Sequence, residues 1–140
     1  MKQNRRKKRV LFVDDDADWR HVPETSWLEN SLDCEVVLAL DGVSAMEKVD
    51  NATVPFDLII LDALMPDPEA SPNEILRESG LRFLRKLKGR SQKIPPVIAY
   101  SALSHHAFKS VRKQFEQEGV TWLPKGNIKH FKQTVKDSLG

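Results

Sequence analysis

Four acidic residues stand where apolar runs stop: Asp14 and Asp15, with Asp16 behind them, after Val10-Leu11-Phe12-Val13, and Asp62 after Leu58-Ile59-Ile60-Leu61. A parallel strand buried on both faces reads as such a run, and in open α/β sheets ligands bind beyond the carboxyl ends of the strands. Two strands of one sheet would therefore aim Asp14, Asp15 and Asp62 at a common crevice. Crowded carboxylates repel one another. A hard divalent cation holds them together most simply, and Mg2+ is the natural choice because it takes one or two carboxylates with waters and phosphate oxygens. Two further groups fit the same scheme. Val97-Ile98-Ala99-Tyr100 ends in the hydroxyl of Ser101 and the small Ala102, and Trp122-Leu123-Pro124 ends in the ammonium of Lys125. Carboxylates, hydroxyl and ammonium, each ending an expected strand, suit a metal ion and a phosphoryl group.

The elements that must position these groups alternate five times. Strands are expected at Arg9–Asp14, Glu35–Leu40, Asp57–Leu61, Pro96–Tyr100 and Val120–Leu123. Helical stretches follow at about 18–32, 42–50, 80–89, 104–118 and 127–139. Leu81, Leu84 and Leu87 beside Phe83, and Phe108, Val111 and Phe115, recur at helical spacing and form apolar stripes. Strand–helix alternation with short connections implies right-handed crossovers and a three-layered α/β fold with a parallel sheet. Pro23 must either kink the first helix or mark its late start. Pro66 to Gly80, rich in proline and acid, is long for a βα connection, where roughly 2–6 residues are usual, and is either a partner-selecting loop or a tolerated surface insertion.

A chain of 140 residues with 40% hydrophobic and 30% charged content is expected to form one soluble domain. Its longest apolar run is far below the roughly 18 residues of a membrane span, and the N-terminus lacks the apolar stretch of a secretory signal. The single Cys34 excludes an intramolecular disulfide and fits a reducing cytoplasm and a buried structural thiol. The net charge of +2 hides an asymmetry. Lys2, Arg5, Arg6, Lys7, Lys8 and Arg9 supply six of the 22 basic residues, leaving 16 against 20 acidic ones, a net of −4. Residues 1–8 are expected to be a disordered basic tail, and 9–140 a mildly acidic domain for which no nucleic-acid or membrane partner is anticipated.

On Val13-Asp14-Asp15, Asp57-Leu58-Ile59-Ile60-Leu61-Asp62 with Met65-Pro66, Ile98-Ala99-Tyr100-Ser101-Ala102 and Leu123-Pro124-Lys125, the sequence resembles the receiver domain of two-component response regulators. Asp41-Gly42 before Ala45 and Gly80-Leu81 before Leu84 match the same pattern, and the likeness runs from Arg9 to the last helix. It implies a flavodoxin-like (βα)5 fold with strand order 2-1-3-4-5. It also implies that Asp62 is the phosphoacceptor, that Asp15 binds Mg2+ directly and Asp14 through water, and that the carbonyl of Leu64 is a further ligand. Ser101 would bond the phosphoryl oxygen, Lys125 would pair with its charge, and Trp122 would rotate inward with Ser101 as the switch.

The implied donor is a histidine kinase or a histidine phosphotransfer protein. With one helix after Lys125, no output domain is expected, and action is expected by docking of the fourth helix, fifth strand and fifth helix onto a protein effector or a second copy. Such a domain assists its own phosphorylation but is not a turnover enzyme. Gly126 departs from the family's usual proline, and Trp122 from its usual Tyr or Phe. Leu64 and Leu103, both apolar, are expected to hinder an attacking water and prolong the phosphorylated state.

The bland readings are N-capping for the aspartates, a solvated loop for His105 and His106, and packing for Trp19 and Trp27. Two rival functions are a degenerate receiver serving as an interaction module and a phosphatase of the haloacid dehalogenase type. Asp14-x-Asp16 resembles the latter's nucleophile motif, but only Asp137 follows Lys125 where a further acidic pair is needed.

Overall fold

The computed structural model describes residues 6–14, 22–62, 79–90, 93–101 and 109–140. Within them the chain alternates β1 (Arg9–Val13), α1 (Val22–Asn30), β2 (Glu35–Ala39), α2 (Gly42–Asn51), β3 (Leu58–Leu61), α3 (Ser79–Lys88), β4 (Val97–Ser101), α4 (Lys109–Gln117), β5 (Thr121–Pro124) and α5 (Ile128–Leu139). The strands form one sheet of order β2-β1-β3-β4-β5, and every pairing is parallel. This is the flavodoxin-like (βα)5 architecture anticipated from sequence.

Strand alternation sorts the core into two layers. Leu11, Val13, Ile59, Leu61, Val97 and Ala99 meet Ala45 and Met46 of α2, the Leu81, Phe83, Leu84 and Leu87 stripe of α3, and Phe115 of α4. Val10, Phe12, Leu58, Ile60, Ile98 and Tyr100 face the other way, onto Leu28 of α1 and Phe131 and Val135 of α5. All four residues of β3 are buried completely, and each such aliphatic side chain withdrawn from water stabilises the fold by about 2 kcal/mol. Cys34 lies in the second layer, where burial, followed by the charges of Asp33 and Asp57, pushes its thiol up. That suits a packing residue rather than a nucleophile.

Local chemistry sets the element ends. Asp41 caps α2 through a reciprocal box: the Ser44 N–H donates to the Asp41 carboxylate at 2.7 Å, and the Ser44 hydroxyl accepts from the Asp41 N–H at 3.4 Å. Asn127 caps α5 by accepting from the His130 N–H at 3.0 Å. Pro23 is the second residue of the described α1 span. β4 and β5 each start and end one residue later than the apolar runs suggest. Pro96 has no N–H for the ladder and only its carbonyl takes part, accepting from Ile59 at 3.0 Å. Pro124 closes β5, an edge strand where proline is tolerated.

Of the basic leader, residues 6–8 are among those described. The Arg6 guanidinium donates to both Asp57 oxygens at 3.0 and 3.1 Å, and the Arg9 N–H donates to the same carboxylate at 2.8 Å. Lys7 pairs with Asp33 at 3.3 Å. Burial pushes the Asp57 carboxyl up, but the Arg6 and Arg9 donors outweigh it and hold it below the usual carboxylate range. A depressed folded value stabilises the fold fully above the unfolded pKa of about 3.9 and is lost as pH falls through the folded value. Arg6 is half-exposed, so solvent screens its share of the effect. Asp57→Asn is expected to cost about 1 kcal/mol at pH 7. In urea unfolding, the gap from the parent closes as pH drops below about 4.

Among the described residues no helix is long and apolar enough to cross a membrane. The first helix's expected start with Trp19, residues 67–78 of the expected 67–79 loop with Leu64 and Met65, and the segment holding Leu103, His105 and His106 lie outside the described residues, while Ser79 opens α3.

Candidate functional site

Sheet register brings the site together. Val13 is paired with Leu61, so the next residues, Asp14 and Asp62, leave adjacent strands side by side. Their backbones extend the sheet: the Asp14 N–H donates to Ala39 at 2.9 Å, and the Asp62 N–H to Val13 at 2.9 Å. Across β4, Ser101 pairs with Pro124, and the Lys125 N–H donates to the Ser101 carbonyl at 2.8 Å. That bond carries the ladder past a proline and holds Lys125 beside β4.

Asp14 is 5% exposed, Asp62 7% and Ser101 1%. The Lys125 ammonium donates to Asp14 Oδ2 at 2.9 Å and lies 3.7 Å from Asp62 Oδ2. The Lys125 ammonium thus spans two buried carboxylates. Among the described residues no group of three or more His, Cys, Asp or Glu side chains stands together. Asp15, the third carboxylate of the expected set, and Leu64, the expected carbonyl ligand, lie outside them. Two buried carboxylates side by side at one sheet edge offer oxygen donors of the kind a hard divalent cation takes, and they fit such an ion.

The site continues inward through Tyr100. This phenol, 1% exposed, donates to Glu24 Oε2 of α1 at 2.6 Å, and Lys125 Nζ stands 5.8 Å from the centre of its ring. Burial first, then the hydrogen bond and charge of Glu24, raise the Tyr100 hydroxyl above the ordinary phenol range, so it remains a donor. Sequence reading placed Tyr100 in a motif without a role and passed over Glu24. The available signal was a tyrosine in a central buried strand, whose hydroxyl requires a partner. Trp122 is partly buried, with its ring 5.8 Å from that of Phe115 in α4. Trp27 packs edge-on against Phe131 at 6.0 Å, the packing role anticipated for it.

Gly126 has φ +107°, and a Cβ added there would meet nothing within 4 Å. Steric room is ample, so the demand for glycine is purely one of backbone conformation. Proline, locked near φ −65°, cannot adopt this geometry. Gly126→Ala is expected to lower stability by about 1–2 kcal/mol in thermal or urea unfolding, and Gly126→Pro by more.

A family model described as the response regulator receiver domain matches residues 10–134. The protein-glutamate methylesterase/protein-glutamine glutaminase of group 3 operon from Bradyrhizobium diazoefficiens is 35% identical over 125 residues, covering 89% of this chain and 30% of that protein. Transcription factor SKN7 of Chaetomium thermophilum is 37% identical over 62 residues, which is 44% of this chain and 8% of that protein. The chain spans less than a third of the length of these curated relatives. Among solved structures, chemotaxis response regulator CheY4 of Vibrio cholerae has a TM-score of 0.72 at 26% identity, covering 96% of this chain and all of that one. A CheY-like receiver domain protein from Methanospirillum hungatei has a TM-score of 0.70 at 21% identity, covering 96% and 94%.

Proposed function

The chain belongs to the response regulator receiver domain family of two-component signalling, and we propose that it takes a phosphoryl group onto Asp62 and thereby switches which protein it binds. Receiver domains as a family interact with histidine kinases or phosphotransfer proteins, typically bind Mg2+ and are typically not turnover enzymes. The observation that carries the reading is the Lys125 ammonium set between the buried carboxylates of Asp14 and Asp62.

The chemistry follows from charge. A carboxylate approaching a phosphorylated imidazole meets a second anion, so the reaction needs fixed positive charge near the phosphoryl oxygens. An Asp62 oxygen attacks phosphorus in line as the P–N bond breaks, and the departing imidazole nitrogen keeps the electron pair. Lys125 pairs with a phosphoryl oxygen and so exchanges one anionic partner for another. Ser101 donates its hydroxyl to a second phosphoryl oxygen. Asp14 and Asp15, with Asp62 and the Leu64 carbonyl, hold Mg2+, which when bound neutralises oxygens of the transferring group. Dephosphorylation returns the same carboxylate by attack of water at phosphorus.

The switch requires the phosphoryl group to bind one conformation better than another. In this reading Ser101 moves toward it and Trp122 turns inward. Because Trp122 lies against Phe115, that motion disturbs α4 and the face it forms with β5 and α5. A downstream protein effector or a second copy docks there, in the cytoplasm. Acetyl phosphate or beryllofluoride with Mg2+ tests the reading, with intact mass and the change in tryptophan fluorescence that Trp122→Phe removes as readouts. Mg2+-dependent modification mapped to Asp62 supports it. Turnover of a generic phosphomonoester would point to a phosphatase instead, and no reaction at all to a phosphorylation-independent interaction module.

A further inference from the structure

The contacts beneath Lys125 go beyond charge pairing with the carboxylates. Its ammonium stands 5.8 Å from the centre of the Tyr100 ring, within the range at which a cation is drawn to an aromatic face. The ring has little freedom to move: it is 1% exposed, lies 4.9 Å from the Phe131 ring of α5 and meets Phe12 of β1 edge-on at 6.4 Å. Its hydroxyl is tied to Glu24 at 2.6 Å, across 76 residues of sequence. A phenol donating to a carboxylate gains electron density in its ring, and a more electron-rich face attracts a cation more strongly.

We propose that Tyr100 and Glu24 are positioning residues that act through Lys125: the hydrogen-bonded ring fixes where the ammonium rests and so aligns it for the phosphoryl oxygens. This rests on the reading of Asp62 and Lys125 given above. Neither residue touches the reacting atoms. Their contribution is to restrict a long, flexible side chain that would otherwise sample many rotamers before meeting its anion. The arrangement also links α1, through one side chain, to the charge balance at the sheet edge.

The test compares Tyr100→Phe, which keeps the ring and loses the hydroxyl, with Glu24→Gln, which keeps an acceptor and loses the charge. Full-chain protein with saturating Mg2+ is treated with acetyl phosphate, and the Lys125 ammonium resonance is followed by heteronuclear NMR without any phosphoryl donor. Tyr100→Phe is expected to slow phosphorylation about fivefold and displace the Lys125 resonance, while the Mg2+ concentration for half-saturation stays within about twofold. Glu24→Gln shifts both in the same direction by less. Parent-like rates with an unmoved Lys125 resonance in both variants would overturn the proposal. So would a fall in rate that tracks a loss of Mg2+ affinity and of melting temperature, because that is the behaviour of a packing defect. If Tyr100→Phe does not fold, Glu24→Gln carries the test alone, since a half-buried near-isosteric change leaves the core intact. Should the parent take up no phosphoryl group, the reading of Asp62 fails, and the Lys125 resonance still decides whether the ring positions the ammonium.

Discussion

Asp62→Asn is expected to abolish phosphoryl uptake: with acetyl phosphate and Mg2+ the rate should fall by roughly three orders of magnitude or more, and intact mass should reveal no adduct. An amide oxygen of nearly the same shape replaces the carboxylate, but it carries no charge and is a far weaker nucleophile toward phosphorus. The fold should survive. Asp62 and Asp14 both face the Lys125 ammonium, which lies nearer Asp14, at 2.9 Å against 3.7 Å. Neutralising Asp62 therefore removes a like charge from a crowded buried site while leaving Asp14 paired. A melting temperature equal to or above that of the parent, together with complete loss of modification, separates lost chemistry from lost structure. Parent-like modification of Asp62→Asn would place the acceptor elsewhere.

Lys125→Ala is the complementary change, with the opposite effect on stability. It strips the ammonium from two carboxylates that are 5% and 7% exposed, and a buried carboxylate that loses a cationic partner destabilises a fold. Because the lysine side chain retains 20% exposure, the loss is expected at about 2 kcal/mol rather than the larger values of fully buried pairs. A divalent cation can take over the missing positive charge. In urea unfolding the deficit should be large in chelator and mostly recovered with saturating Mg2+. Phosphorylation should not recover in the same way: with the ammonium gone, the rate at saturating Mg2+ is expected to fall about a hundredfold. An equal loss of stability with and without Mg2+ would show that Lys125 acts by packing and not by charge.

Much of the molecule was legible from the chain because periodicity and position report local physics. Apolar runs closed by Asp14, Asp62, Ser101 and Lys125 marked parallel strands, and the Leu81, Leu84 and Leu87 spacing marked a helix with one buried stripe. The ends were less legible. Pro96 and Pro124 shifted two strands by a residue, because a ladder bond depends on which neighbour offers a donor, not on hydrophobicity. Gly126 read as a departure from a family habit, and its backbone angle became visible only in the structure. The pairing of Tyr100 with Glu24 escaped altogether, since nothing local to either residue names a partner 76 positions away.

The sequence by itself determined the alternation of elements and the kinds of side chain that end the strands. In a parallel sheet those ends share one edge, so four chemically useful groups were bound to be neighbours. Only the tertiary structure decided how the neighbours divide their charge. Sheet order sets Asp14 against Asp62, the ladder past Pro124 places Lys125 beside Ser101, and packing of α1 and α5 brings Glu24 and Phe131 around Tyr100. Such pairings join residues as much as 111 positions apart. They depend on distances that are set by packing of the whole core and not by the order of residues along the chain.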